Sequence, residues 1–218
     1  MTGARDQTME MQNTSVQLKA GRAGLLKMPA IGILGAGRLG AAIAKRWHGV
    51  QGKKPSLWSR RYGDANSLLN VSYDEGSFSM APIETIVQGE SVYAAIPSSG
   101  VVELALANQA FRNFTGVLFI AGIDMPVEEI QKFIPAALII RVAPFLLPTR
   151  KDVPSLMLVR GNGGTPRDAR ANIIMEALGP VDRIDNEKAF ELLLYFGSPF
   201  QWAGLIARGT IAASAKNS

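Results

Sequence analysis

Cysteine is absent from the 218 residues, and histidine occurs once, at His48. The first absence excludes disulfides, thiolate nucleophiles, zinc fingers and iron–sulfur ligation. The second excludes any site that needs two imidazoles, and no metal site is expected. Neither absence prevents folding, because a chain of this length buries a sizeable core without a staple. Charge is sparse as well, 19% against 47% hydrophobic residues, the balance of a globular chain. Lys and Arg number 23 and Asp and Glu 18, for a net charge of +5. The basic residues are scattered, apart from short pairs such as Lys53-Lys54, Arg60-Arg61 and Arg150-Lys151. No basic stripe with interleaved aromatics is present, which argues against a nucleic-acid partner. The mild positive excess suits an anionic small ligand. Long apolar runs are also missing. The most apolar stretch, Phe133 to Pro148, is interrupted by Pro135, Arg141 and Pro144. It falls short of the roughly 20 apolar residues of a spanning helix. Met1 to Ala20 is mostly polar and has no secretory core. A cytoplasmic protein with no membrane partner is expected.

What is present is an alternation of short apolar runs with helical stretches, beginning after a polar tail at residues 1–28. The tail has no periodic apolar face, so residues 1–27 are expected to be dispensable. Strands are expected at Ala30–Leu34, Ser56–Trp58, Gly76–Met80, Ser91–Ile96, Gly116–Ala121, Ala137–Val142, Leu156–Val159 and Val181–Ile184. Helices are expected at Gly37–His48, Gly100–Phe111, Val127–Phe133 and Ala169–Leu178, the third with Asp124 or Met125 near its cap. Strand–helix alternation at this spacing predicts βαβ units and an α/β, Rossmann-type, mostly parallel sheet over residues 29–185. Residues 186–218 read as a short C-terminal helical segment, broken at Gly197-Ser198-Pro199. They carry too many large apolar groups for one helix face, among them Leu192, Leu193, Tyr195, Phe200 and Trp202. A homodimer built through this segment is expected, with a substrate pocket beside it.

Gly35-Ala36-Gly37-Arg38-Leu39-Gly40 is a G-x-G-x-x-G sequence between an apolar strand and an amphipathic helix. That context gives the motif its meaning. Gly35 makes the tight turn, Gly37 admits a pyrophosphate and Gly40 allows close helix–strand packing. The helix N-terminus then offers free N–H groups and a positive dipole end to phosphates. The end of the second strand selects the cofactor. An acid about 20 residues on would bind ribose hydroxyls. Here Ser59, Arg60 and Arg61 stand in that place, with no acid until Asp64. A hydroxyl and two guanidinium groups suit a 2′-phosphate, so NADP(H) is the expected cofactor. Ala95, Ile96 and Pro97 after the fourth strand, and Ala121 and Gly122 after the fifth, are expected to pass beneath the ribose and nicotinamide.

Hydride chemistry on an alcohol or carbonyl usually calls for a proton donor, and the common donors are absent. No tyrosine begins Tyr-x-x-x-Lys: the fourth residues after Tyr62, Tyr73, Tyr93 and Tyr195 are Asn66, Ser77, Pro97 and Pro199. His48 falls at the end of the first helix, away from a nicotinamide. A protonated imine already carries its proton, so its reduction asks mainly for orientation of the C=N carbon.

The sequence resembles pyrroline-5-carboxylate reductase and its relatives over about residues 30–200. The resemblance rests on Ile31–Gly40, Ser59-Arg60, Val92–Pro97, Ile120–Ile123, Ile140-Arg141-Val142-Ala143-Pro144 and Ala177-Leu178-Gly179 with Val181. It implies a small imine substrate and NADP(H), with Ser198 in the segment similar to the family's substrate loop. Ser198 is thus the candidate catalytic or substrate-binding residue, and it could equally cap the helix that follows. Departures are Ile96 where the family commonly has Lys, Phe145 where it has Asn, and a shortened loop at Phe196–Phe200. The sequence reaches about one helix into the region where the family carries a helical dimerisation domain. Fold and cofactor therefore carry over, whereas pyrroline carboxylate as substrate does not. Deazaflavin-dependent NADP reductases share the opening motif, and a non-catalytic NADP-binding module is the contrasting expectation.

Overall fold

A computed structural model describes residues 30–60, 76–122, 124–144, 155–158 and 164–197. The expectations for the tail, Arg61, Phe145 and Ser198 lie outside these residues, as does the chain beyond Gly197. The first strand, β1 (Ile31–Leu34), is buried throughout and leads into helix α1 (Arg38–Gln51). Gly52, at φ 65°, ends α1 with its N–H on the His48 carbonyl at 2.7 Å. Strand β2 (Ser56–Trp58), the two-residue β3 (Ser79–Met80) and helix α2 (Ile83–Ile86) follow. Next come β4 (Ser91–Ala94), α3 (Ser98–Ala107), α4 (Gln109–Arg112), β5 (Val117–Ile120) and α5 (Val127–Gln131). The last elements are β6 (Leu138–Ala143), β7 (Ser155–Leu158), α6 (Pro166–Leu178), β8 (Val181–Ile184) and α7 (Glu187–Gly197).

The eight strands form one sheet in the order β3-β2-β1-β4-β5-β6-β7-β8. Every pairing is parallel except β6 with β7. The first six strands thus run in the 3-2-1-4-5-6 order of a doubly wound, Rossmann-like sheet, as the alternation of elements led one to expect. Register builds the core. Ile33, Tyr93, Phe119 and Ile140 are side by side across four strands and face α1 and α6. Ile43, Ala44 and Trp47 of α1 and Ala171, Ile174 and Met175 of α6 close over that row. One residue earlier on each strand, Val92, Leu118 and Ile139 face α2, α3, α4 and α5. Gly32 is the fourth member of this second row. A Cβ there would stand 2.7 Å from the Ile86 side chain, so the glycine is what lets α2 lie flat on the sheet. Each large apolar residue so buried stabilises the fold by about 1.5–3 kcal/mol. A third, smaller cluster of Ala143, Leu156, Leu158 and Phe190 fastens α7 to the far end of the sheet.

Several local expectations are corrected. The helix expected over Gly100–Phe111 begins at Ser98 and is two helices. Asn108 is extended and its side chain accepts from the Phe111 N–H at 3.0 Å, so it ends α3 and caps α4. The helix expected from Ala169 starts at Pro166, because Thr165 and Asp168 form a capping box and Pro166 is preset for a first turn. Helix α5 is preceded by Pro126 with no side-chain cap, and Asp124 is used elsewhere. Strand β3 keeps only the last two residues of its expected span, and α2 was not expected.

Candidate functional site

The C-terminal ends of β1, β2, β4 and β5 are drawn together by backbone hydrogen bonds. The Gly35 N–H donates to the Trp58 carbonyl at 2.8 Å, the Ala95 N–H to Leu34 at 2.8 Å and the Ala121 N–H to Ala94 at 3.1 Å. Gly35 has φ +103°, and a Cβ on it would lie 2.7 Å from both the Ala95 carbonyl oxygen and the Ile96 side chain. Only glycine fits there. A Cβ on Gly40 would collide with the Gly35 carbonyl, which is how α1 comes to sit directly on the turn. At Gly37 the situation is the reverse: nothing lies within 4 Å of a Cβ position. Helix α1 has no side-chain cap and no acidic residue in its first turn. Unfilled space before a helix N-terminus whose N–H groups lack a side-chain acceptor suits a diphosphate. Ala36 is buried, Leu39 is half-buried against the core, and Arg38 is exposed beside the turn.

Beyond β2, Ser59 is half-buried and Arg60 is exposed. Arg60 is not a free guanidinium. Its Nη2 donates to Glu103 Oε2 of α3 at 2.8 Å, with the two side chains 71% and 66% exposed. The same nitrogen lies 3.3 Å from where a Cβ of Gly100 would be, so the guanidinium rests on the first turns of α3.

Pro97 precedes α3 and supplies no side-chain cap. Asp124 does so from the loop after β5: its carboxylate accepts from the Ser98 N–H at 2.8 Å and the Ser99 N–H at 3.2 Å. Partial burial opposes the charge, but these hydrogen bonds prevail and hold the carboxyl at about 2. A Cβ on Gly122 would stand 2.5 Å from Ser98 Oγ and 2.6 Å from its nitrogen, so this glycine is what admits Ser98 and Asp124 to each other. Sequence reasoning placed Gly122 at the site and missed both Asp124 and Glu103. Only the sequence distance of an acid from a helix start was available, and it pointed to α5.

Tyr93 lies away from this edge, fully buried and stacked on Phe119 at 5.9 Å between ring centroids. Burial pushes its hydroxyl pKa up, and that hydroxyl has no partner among the described residues. On β6, Arg141 is paired with Ile120, the last residue of β5. Its side chain is 2% exposed and meets Glu187 at 3.0 Å and Glu191 at 3.2 Å, both on α7, with the Phe190 ring 5.4 Å from its guanidinium carbon. Among the described residues no group of three or more His, Cys, Asp or Glu side chains could hold a metal ion. Nor is any helix among them long and apolar enough to cross a membrane.

No protein-family model matches the chain, and no curated protein matches it in sequence. Solved structures match its fold. A pyrroline carboxylate reductase of Plasmodium falciparum, with NADP bound, superposes with a TM-score of 0.62 at 13% identity, over 87% of this chain and 70% of that one. A reductive aminase of Aspergillus terreus, in complex with NADPH and ethyl levulinate, gives 0.58 at 18% identity, over 87% and 75%. The V8 variant of an imine reductase of Myxococcus stipitatus, in complex with NAD+, gives 0.61 at 16% identity, over 87% and 65%. At these identities the likeness is one of fold.

Proposed function

We propose that this chain is an NADP(H)-dependent oxidoreductase that reduces the C=N bond of a small imine. The observation that carries the proposal is the turn from Gly35 to Gly40, with its open face at Gly37 and the uncapped start of α1. The fold neighbours support it, since a pyrroline carboxylate reductase and a reductive aminase with this fold were crystallised with NADP or NADPH. In this reading the α1 N-terminus holds the pyrophosphate, and Ser59, Arg60 and Arg61 face the 2′-phosphate. Ala95, Ile96, Pro97, Ala121 and Gly122 floor the nicotinamide half. The cofactor supplies the hydride. The protein orients a cationic C=N group that brings its own proton, so the absence of Tyr-x-x-x-Lys is no obstacle. Residues 29–185 form the nucleotide-binding unit in this proposal, and residues 186–218 complete the substrate side, Ser198 included, and join two copies.

Fluorescence titration with NADPH and NADH tests the cofactor half. NADPH binds more tightly, and replacing both Arg60 and Arg61 by Ala removes about 1.5–3 kcal/mol, or roughly ten- to hundredfold in affinity. Equal affinity for the two nucleotides overturns it. Single-turnover oxidation of NADPH by a cyclic imine tests the chemistry. Binding without turnover across a panel of imines identifies a non-catalytic module instead, and turnover only with an oxidised deazaflavin identifies a deazaflavin reductase.

A further inference from the structure

We propose that Glu103 tunes the cofactor preference of the site, by competing with the 2′-phosphate for the Arg60 guanidinium; the inference rests on the NADP(H) reading above. No acid follows β2 closely in the chain, which is the ground for expecting a phosphate there. The fold nevertheless supplies one. Strand β4 lies beside β1, and β1 beside β2, so α3 leaves the sheet edge close to the end of β2. Arg60 and Glu103, 43 residues apart in sequence, meet at 2.8 Å. Gly100, one turn before Glu103, has no side chain to push the guanidinium away, and Arg60 Nη2 sits 3.3 Å from the missing Cβ position.

The chemistry of the pair sets its effect. Both side chains are largely exposed, so solvent screens the pair and it is easily exchanged. A phosphate monoester carries about −1.5 to −2 charges near neutral pH and outcompetes a carboxylate for one guanidinium. The released carboxylate then stays a few ångströms from that phosphate and repels it. An unphosphorylated ribose meets no such repulsion, because its hydroxyls donate to a carboxylate as readily as they accept from Arg60. Glu103 thus penalises NADPH selectively and narrows the gap between the two cofactors without reversing it.

The test is titration of the full chain with NADPH and NADH, for the unmodified protein and for Glu103→Gln, Arg60→Ala and the double variant. Gln keeps the shape and removes the charge at an exposed position. Glu103→Gln tightens NADPH by about three- to tenfold at low ionic strength, with NADH unchanged or slightly weaker. The gain shrinks as salt shortens the reach of the carboxylate. An unchanged ratio between the cofactors overturns the inference, and so does weaker NADPH binding, which makes Glu103 a support for Arg60 rather than a competitor. The outcomes also separate the two levels. If Arg60→Ala weakens NADPH while Glu103→Gln does nothing, the NADP(H) site stands and the role of Glu103 falls. If Arg60→Ala leaves NADPH untouched, the role of Glu103 falls while Ser59 and Arg61 can still hold the phosphate; if the unmodified protein binds neither nucleotide, or binds both equally, both readings fall.

Discussion

Asp124 shows how much one residue can organise at the C-terminal edge of the sheet. Its carboxylate satisfies two N–H groups at the start of α3, a helix that has no side-chain cap of its own. The bonds favour the charged form, and the carboxyl is lowered from 3.8 to about 2. In the unfolded chain the group keeps its ordinary value, so between those two values the unfolded state binds more protons. The stabilisation is therefore complete above about pH 4 and is lost as pH falls toward 2. Asp124→Asn keeps one acceptor and loses the charge. Near neutral pH it is expected to destabilise by at most about 1 kcal/mol, since the group is largely exposed and screened. Urea midpoints of both proteins at pH 7, 4 and 2.5 check this, with curves that converge at the lowest pH. A constant offset at all three would mean that the charge contributes nothing.

Among the elements, α7 depends most on a single side chain. Helices α1 and α6 are held by broad apolar faces, whereas α7 rests on the sheet through Phe190 and Leu194 and through Arg141 bridging Glu187 and Glu191. A guanidinium 2% exposed is stable only while its partners remain. Arg141→Ala leaves the half-buried Glu187 without that cation and empties the space under Phe190. The expected loss is about 3 kcal/mol, mostly from the cavity that a large buried side chain leaves, because Glu187 and Glu191 keep access to water. Hydrogen exchange locates the effect. The amides of α7 are expected to lose protection before those of β4 and β5, and uniform loss across the sheet would contradict a role confined to α7.

At the scale of the whole molecule, α7 carries the question of assembly. Leu192 and Leu193 are 58% and 42% exposed on a helix otherwise rich in large apolar residues. Those positions lie in the described part of the segment through which a homodimer is proposed. Sedimentation at micromolar concentration is expected to give twice the 23.4 kDa chain mass. Leu192→Glu with Leu193→Glu is expected to give the monomer with its NADPH affinity kept. A monomer for the unmodified chain removes the proposal.

Strands, glycine turn and sheet class are legible in the sequence because their signals are local. A buried parallel strand is a short apolar run, as in Ile31–Leu34, and Gly35 and Gly40 stand where any Cβ meets backbone. Helix limits were read less well where the decisive group was a short polar side chain, as with Asn108 and the Thr165–Asp168 box. Such residues serve a loop, a cap or a surface with equal ease. The long-range features were decided by tertiary structure alone. The reversal between β6 and β7 leaves no mark on composition. Asp124 meets Ser98 across 26 residues and Glu103 meets Arg60 across 43, and both meetings depend on which strand lies beside which. Apolar periodicity reports which face of an element is buried, but the charge that arrives beside Arg60 is determined by strand order.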